Sequence, residues 1–317
     1  EDKTSTYVVS DDGADNSLCL LQNHISTCRT MKYVLENHIF HARKVYITGK
    51  NNHYAFCPQK SSFIDIIPTG KIITITGINY VKYLCPLLLA GDGNRLGTAT
   101  VISNITFERV KIALSGVSII FKNVMFNNCN LTDTHPTPSL QLYVTFVQIT
   151  WLSNIKNYRG ILRIMNSDMV HLSFYRSVMY DLYLTIKCQK CNLHFDHVLF
   201  LARHALSKTF SKIVILSKDK KHISKSITDL KMSRNVLRFL KVKVISNSRT
   251  TSSFLYLQLS SVDISVLDSV FTSITCPFTI QLGSRHSYSS PYIFSLNISR
   301  CKFIGNSGGT SGIIHID

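Results

Sequence analysis

The chain has 317 residues, 45% of them apolar, and a formal net charge of +17 from 35 Lys and Arg against 18 Asp and Glu. There is enough apolar material for a long core, but no run approaches the roughly 18 residues of a membrane-spanning helix, so none is expected here. The charge excess favours anionic partners such as glycosaminoglycan, acidic polysaccharide, anionic lipid or nucleic acid, and nine cysteines point to an oxidising compartment.

The chain opens at Glu1 with no basic-then-apolar leader, which is expected of a protein whose signal peptide is removed or omitted. From residue 7 it reads YVVSDDGADNSLCLLQNHISTCRTMKYVL. Ser10, Asp11, Asp12 and Gly13 make a turn, Cys19 and Cys28 bracket a polar loop, and Arg29–Leu35 starts a short helix. Val45–Thr48 and Ile72–Tyr80 read as strands. Gly91–Thr98 and Asn127–Ser139 are turn-rich loops, the second with Pro136 and Pro138.

Beyond residue 100 an eight-residue pattern recurs, apolar at positions one, three, six and eight. It fits Ile105–Ile112, Ile119–Phe126, Val144–Trp151, Leu172–Met179, Leu193–Phe200, Leu237–Val244, Ile264–Phe271 and Leu296–Phe303. Only Ser177 and Ser269 interrupt the apolar slots, and position three holds Phe107, Phe121, Phe146, Phe174, Phe195 and Phe239. Positions one and three alternate inward as in a strand, and the step of three from position three to six demands a bend. The fifth residue sits at that bend and is polar throughout: Arg109, Asn123, Gln148, Arg176, His197, Lys241, Asp268 and Arg300. Ile73, Ile75, Ile78 and Tyr80 fit the same frame one turn earlier.

A unit this small cannot bury its own apolar face and must stack on its neighbours. The starts are spaced by 14, 25, 28, 21, 44, 27 and 32 residues. Steps of roughly 20 to 30 suit one turn of a parallel β-solenoid, and 44 suits two turns or one turn with a long loop. The step of 14 does not fit, so Ile105 or Ile119 belongs to another side of the coil. An antiparallel β-sandwich also alternates, but nothing in it places Phe in one slot of so many segments.

The opening segment and the repeats together resemble extracellular right-handed parallel β-helix proteins of the pectin-lyase-like superfamily. Those proteins start with Tyr-Val-Ser, a Gly-x-Asp turn, two cysteines and a Thr-x-x-Tyr-Ala-Leu helix. Tyr7, Val8, Ser10, Gly13, Asp15, Cys19, Cys28, Thr30, Tyr33 and Leu35 match, whereas Val34 replaces the small Ala and one residue is inserted before Ser10. The resemblance implies an all-β right-handed parallel β-helix whose short N-terminal helix caps the first coil. Residues 1–40 would be the cap, 41–317 the β-helix, and about 217–234 a basic inserted loop. It leaves the activity open, because the superfamily includes lyases, hydrolases and non-catalytic adhesins.

A Cys19–Cys28 disulfide is expected within the cap. Cys57 and Cys85 stand 28 residues apart, about one turn, and residues stacked on neighbouring turns lie about 4.8 Å apart, within disulfide reach. The CxxC of Cys188 and Cys191 has no second CxxC or His pair for zinc and no βαβ context for redox work, so a disulfide or two buried thiols is expected. Cys301 fills a core slot as a plain apolar residue. Sequons begin at Asn104, Asn130 and Asn297. Asn297 is in the outward second position and Asn104 just precedes a first position. Exposed sequons and many cysteines together point to a secreted protein or the extracellular face of the plasma membrane.

Residues 203–249 hold 13 Lys and Arg against Asp219 and Asp229, carrying +11 of the net charge. Lys218, Lys220, Lys221, Lys225, Lys231 and Arg234 are the candidate polyanion contacts, acting as point charges whose grip depends strongly on salt. The bland reading of the same run is a solvated loop.

Calcium sites and glycoside hydrolysis both need converging carboxylates. Asp11, Asp12 and Asp15 lie in the cap, while Asp168, Asp181, Asp196, Asp229, Asp263 and Asp268 are scattered and form no column. Metal-independent polysaccharide lyases use Lys, Arg, His or Tyr instead. Here His194 and His197 flank Asp196, and Arg176 shares the column of His197. The chain has no GxSxG elbow, P-loop or HExxH. No catalytic residue, metal or cofactor is assigned.

The leading expectation is a non-catalytic domain for adhesion, matrix or recognition that binds an anionic glycan. The alternative is a lyase or hydrolase of acidic polysaccharide. Nucleic acid is disfavoured because the aromatics fall in inward columns rather than among the basic residues. The final GGTSGIIHID enters another strand, so a further β-helix turn, a cap, a protein partner or a downstream membrane anchor is expected beyond the apolar end.

Overall fold

The computed structural model describes residues 5–21, 26–38, 42–55, 64–66, 73–90, 100–133, 141–153, 160–202, 211–217, 235–250, 254–259, 261–274, 278–282, 293–306 and 314–316. Their strands form three parallel sheets of 11, 10 and 10 strands, which the chain visits in rotation. Each coil gives one strand to each sheet, and ten coils stack into a parallel β-helix. Coil one comprises Ala42–Ile47, His53–Tyr54 and Ile64–Ile66; coil ten comprises Ile293–Ser299, Lys302–Ile304 and Ile314–Ile316. Ser5–Val9 precedes the coils and pairs with Ala42–Ile47 in the first sheet.

The eight-residue frame is the corner between the first and second sheets. Positions one and three face inward from a first-sheet strand, and position eight faces inward from the second sheet. Between them the polar fifth residue turns the chain in the left-handed region: φ is 53° at Gln148, 48° at Arg176, 53° at His197, 51° at Lys241 and 50° at Asp268. That conformation costs a non-glycine residue about 1–2 kcal/mol. It is held by the N–H of each bend residue, which donates to a carbonyl of the next coil: Gln148 to Tyr175 at 2.9 Å, Arg176 to Asp196 at 2.9 Å, His197 to Leu240 at 3.0 Å.

Parallel register then stacks like on like. Phe121, Phe146, Phe174, Phe195 and Phe239 are consecutive partners in the first sheet, fully buried, with centroids 5.4, 4.6, 4.9 and 5.0 Å apart and rings within 11° of parallel. A second file in the second sheet runs through Tyr54, Tyr83, Phe107, Phe126 and Trp151. Each buried ring contributes roughly 2–3 kcal/mol of apolar transfer.

The two serines that interrupt the pattern are corner devices. The Ser177 hydroxyl donates to the Tyr175 carbonyl at 2.8 Å and accepts from the Ile149 N–H of the previous coil at 3.3 Å. Ser269 does the same with Leu267 at 2.8 Å and Val242 at 3.1 Å. Cys301 occupies this slot in coil ten; it is partly exposed and its thiol donates to the Ser299 and Val266 carbonyls, so it is more than an apolar filler. Cys129 makes the comparable bonds to Phe107 and Asn127 at the corner between the second and third sheets, and burial pushes its thiol up to about 12.

Two frames need correction. Ile105–Ile112 spans the corner between the second and third sheets, because Phe107 lies in the second sheet over Tyr83 and Phe126. The true frame of that coil runs from Thr100 to Phe107 with Asn104 as its bend, at φ 54°. It starts 19 residues before Ile119, which removes the anomalous step of 14. Further upstream, Ile73 and Ile75 face inward, but Ile78 and Tyr80 sit in an exposed 3-10 turn, and Val81 and Tyr83 take the buried slots. The 44-residue step is a single coil, with inserts after Leu201 and after Ser217.

In the cap, the helix is Met31–His38, two residues later than expected. Thr30 caps it, its hydroxyl accepting from the Tyr33 N–H and donating to Asp15, whose carboxylate also takes the Arg29 and Thr30 N–H groups. Met31, Val34 and Leu35 cover the start of the core. Cys19–Cys28 and Cys188–Cys191 are disulfides, with Cα atoms 5.0 and 6.1 Å apart. Cys85 is buried and disulfide-bonded, while Cys57 lies outside the described residues.

Candidate functional site

The polar bend residues of successive coils line up as a ridge along the rod. From coil five onward the ridge reads Gln148, Arg176, His197, Lys241, Asp268 and Arg300, one residue per coil. Adjacent strands are about 4.8 Å apart, which sets the backbone spacing of neighbouring ridge positions. Arg176, His197 and Lys241 are exposed. At the far end Arg300 forms a two-point ion pair with Asp268, Nε to Oδ1 at 2.6 Å and Nη2 to Oδ2 at 2.8 Å, which neutralises that part of the ridge.

The neighbouring faces add to the cationic part. His194, on the outward face of the first sheet in coil seven, is in register with Ser173 before it and Arg238 after it. Its ring meets Tyr175 edge to face, centroids 5.4 Å apart. Burial pulls the His194 pKa down and Arg238 pulls in the same direction, against Asp196. Asp196 Oδ1 is 2.6 Å from His197 Nδ1. On the second sheet Lys243 begins the strand beyond Lys241 and is exposed. Among the described residues no carboxylate pairs with Arg176, Arg238, Lys241 or Lys243.

The structure therefore unites two groups that the sequence presents separately. Arg176, His194 and His197 come from coils six and seven, whereas Arg238, Lys241 and Lys243 belong to the basic stretch 203–249. The repeat frame already sets Arg176, His197 and Lys241 in its fifth position and His194 and Arg238 in its second, and register makes them neighbours on successive coils. Lys212, from the same stretch, lies apart on the third sheet, its ammonium 5.8 Å from the centroid of the Tyr256 ring. Lys218, Lys220, Lys221, Lys225, Lys231 and Arg234 lie outside the described residues, in the segment joining Lys212–Ser217 to Asn235–Leu240.

Of the sequon asparagines, Asn297 is exposed on the first sheet, and Asn104 is a half-buried bend residue. The side-chain oxygen of Asn130 accepts from the Gly160 N–H at 3.1 Å. Among the described residues no group of three or more His, Cys, Asp or Glu is placed to hold a metal ion, and no helix is long and apolar enough to cross a membrane.

No family model, curated protein or solved structure matches this chain. The reading of the ridge therefore rests on its own geometry and charge.

Proposed function

We propose that this is a non-catalytic recognition or adhesion domain working outside the cytosol, a β-helix of the pectin-lyase-like kind whose basic ridge holds an acidic glycan. The observation that carries the reading is the run of Arg176, His197 and Lys241 on successive coils, flanked by Arg238 and Lys243; among the described residues no carboxylate pairs with the two arginines or the two lysines. Basic residues repeated on successive coils suit a linear polyanion, and a backbone held by a core of stacked aromatics spaces them regularly. The Cys19–Cys28 and Cys188–Cys191 disulfides support an oxidising compartment. The lysines of 218–234 would add diffuse attraction to the same ligand, and Asn297 is the sequon best presented for glycosylation.

Heparin affinity chromatography tests this reading. The variant Arg176→Gln, Arg238→Gln, Lys241→Gln, Lys243→Gln should elute at much lower salt than wild type. A control of equal charge, Lys44→Gln, Lys111→Gln, Lys122→Gln, Arg163→Gln, changes four exposed cations elsewhere and should elute close to wild type. Equal shifts for the two would reduce the ridge to bulk charge and end the proposal.

One observation favours a catalytic alternative: His194, its pKa pulled down by burial, stands beside Tyr175 and Arg238, a base beside a phenol and a cation. New unsaturated or reducing ends from a uronic-acid polymer, lost in His194→Gln, would establish that reading instead.

A further inference from the structure

The cations of the ridge are not contiguous. His197 occupies the bend position between Arg176 and Lys241, and His194 the outward position between Ser173 and Arg238. Both imidazoles therefore stand inside a row whose other basic members are permanently charged. We infer that the ridge is a pH-gated grip, in which protonation of His194 and His197 closes the gaps and tightens the hold on a polyanion as the surroundings acidify. This rests on the ridge reading above and adds its regulation.

The groups facing the two imidazoles are these. On the strand of His194 stand Lys190 and Asp196; from the preceding coil come His171, Tyr175 and Arg176; from the following coil, Arg238 and Lys241. His197 faces Asp196, to which it is bonded, Arg176 and Lys241 on either side along the ridge, and Lys243 beyond on the second sheet. Cations outnumber carboxylates around both rings, and the one carboxylate in contact, Asp196, is already engaged with His197.

Without ligand, the buried side of His194 and its Arg238 neighbour favour the neutral ring. A polyanion laid along the ridge reverses that balance, since it adds negative charge beside both imidazoles. Binding then takes up protons, and by linkage affinity must rise as pH falls. At neutral pH the ridge offers four permanent cations, Arg176, Arg238, Lys241 and Lys243; protonation of His194 would add a fifth, and that of His197 would cancel the charge of Asp196 beside it.

The probe is heparin, whose sulfates stay ionised across the range, with Kd measured by titration calorimetry at about pH 7.5 and about pH 5.5 at fixed ionic strength. Wild type should bind about five- to tenfold tighter at the lower pH, as expected for two added surface charges. His194→Gln with His197→Gln, compared with its own affinity at the higher pH, should lose most of the gain. A wild-type affinity unchanged with pH, or a gain that persists undiminished in the double variant, would overturn the gating. The variant lacking Arg176, Arg238, Lys241 and Lys243 separates this from the parent reading: if it loses binding at both pH values while wild type shows no pH response, the ridge stands and the gate falls. If it binds like wild type at both, the ridge itself is wrong.

Discussion

Phe174 and Phe195 stack face to face with ring centroids 4.9 Å apart and an interplanar angle of 0°, although they stand 21 positions apart in sequence. Their Cα atoms are partners in the first sheet, so the ring spacing is simply the strand spacing. Burial and stacking are thus set by one geometric repeat.

Phe174→Ala should therefore cost about 3–5 kcal/mol, since Phe146 and Phe195 are held by their own strands and cannot close the gap. Phe174→Leu should cost less than about 1.5 kcal/mol. The urea midpoint reports both, and a Phe174→Ala loss as small as that of Phe174→Leu would mean that the file is not a packed column.

The bends supply a second prediction. Gln148 is exposed, at φ 53°. Gln148→Gly removes a left-handed penalty of about 1–2 kcal/mol against an added unfolded-state entropy of about 0.5–1 kcal/mol, for a net gain of several tenths. Gln148→Val should lose roughly 1–2 kcal/mol, because a β-branched residue is least tolerated there. Thermal unfolding of the two variants should bracket wild type, and equal melting points would contradict the bend assignment.

The corner between the first and second sheets is legible in the sequence because it has constant length: one polar residue at the bend, with apolar neighbours at fixed offsets. The other two corners vary. They carry inserts such as 154–159, 203–210 and 218–234, so no fixed period reveals the third sheet. Thr100 hid the true third-coil frame by placing a polar but buried residue in slot one. The ridge was largely legible. Arg176, His197 and Lys241 share the fifth position of the frame and His194 and Arg238 the second, but only the structure shows that the 44-residue step is one coil, which makes Arg238 the neighbour of His194.

Asp133 shows what the sequence withholds and yields a third prediction. It follows Leu131 in a third-sheet strand and faces inward, in the column of Leu114 and 6% exposed. Its carboxylate accepts the N–H groups of Met165, Asn166 and Ser167, each at 2.7 Å, and the Ser167 hydroxyl at 3.0 Å. An acid in a core slot is tolerable only with such compensation. Asp133→Ala should cost about 3 kcal/mol or more by stranding those donors, and Asp133→Asn less, because one oxygen remains. Hydrogen exchange should show lost protection at residues 165–167 first; unchanged protection there would rule out the corner role.

His171 gives the fourth prediction, on stability rather than binding. Its ring stacks on Tyr143 of the previous coil, centroids 4.4 Å apart and 11° from parallel, and its Nε2 is buried without a hydrogen-bond partner. Burial, and secondarily Lys190, pulls its pKa below the usual 6.5. The unfolded chain therefore binds the proton first as pH falls, and unfolding takes up protons between 6.5 and the lower folded value. The contribution of His171 is whole above about 6.5 and is lost as pH drops through the folded pKa. From about pH 7.5 to about pH 5.5 the melting temperature of wild type should fall more than that of His171→Gln. At the higher pH the variant should start lower by roughly 0.5–1.5 kcal/mol for the missing stack. Parallel pH profiles for the two proteins would show that the His171 proton is not coupled to folding.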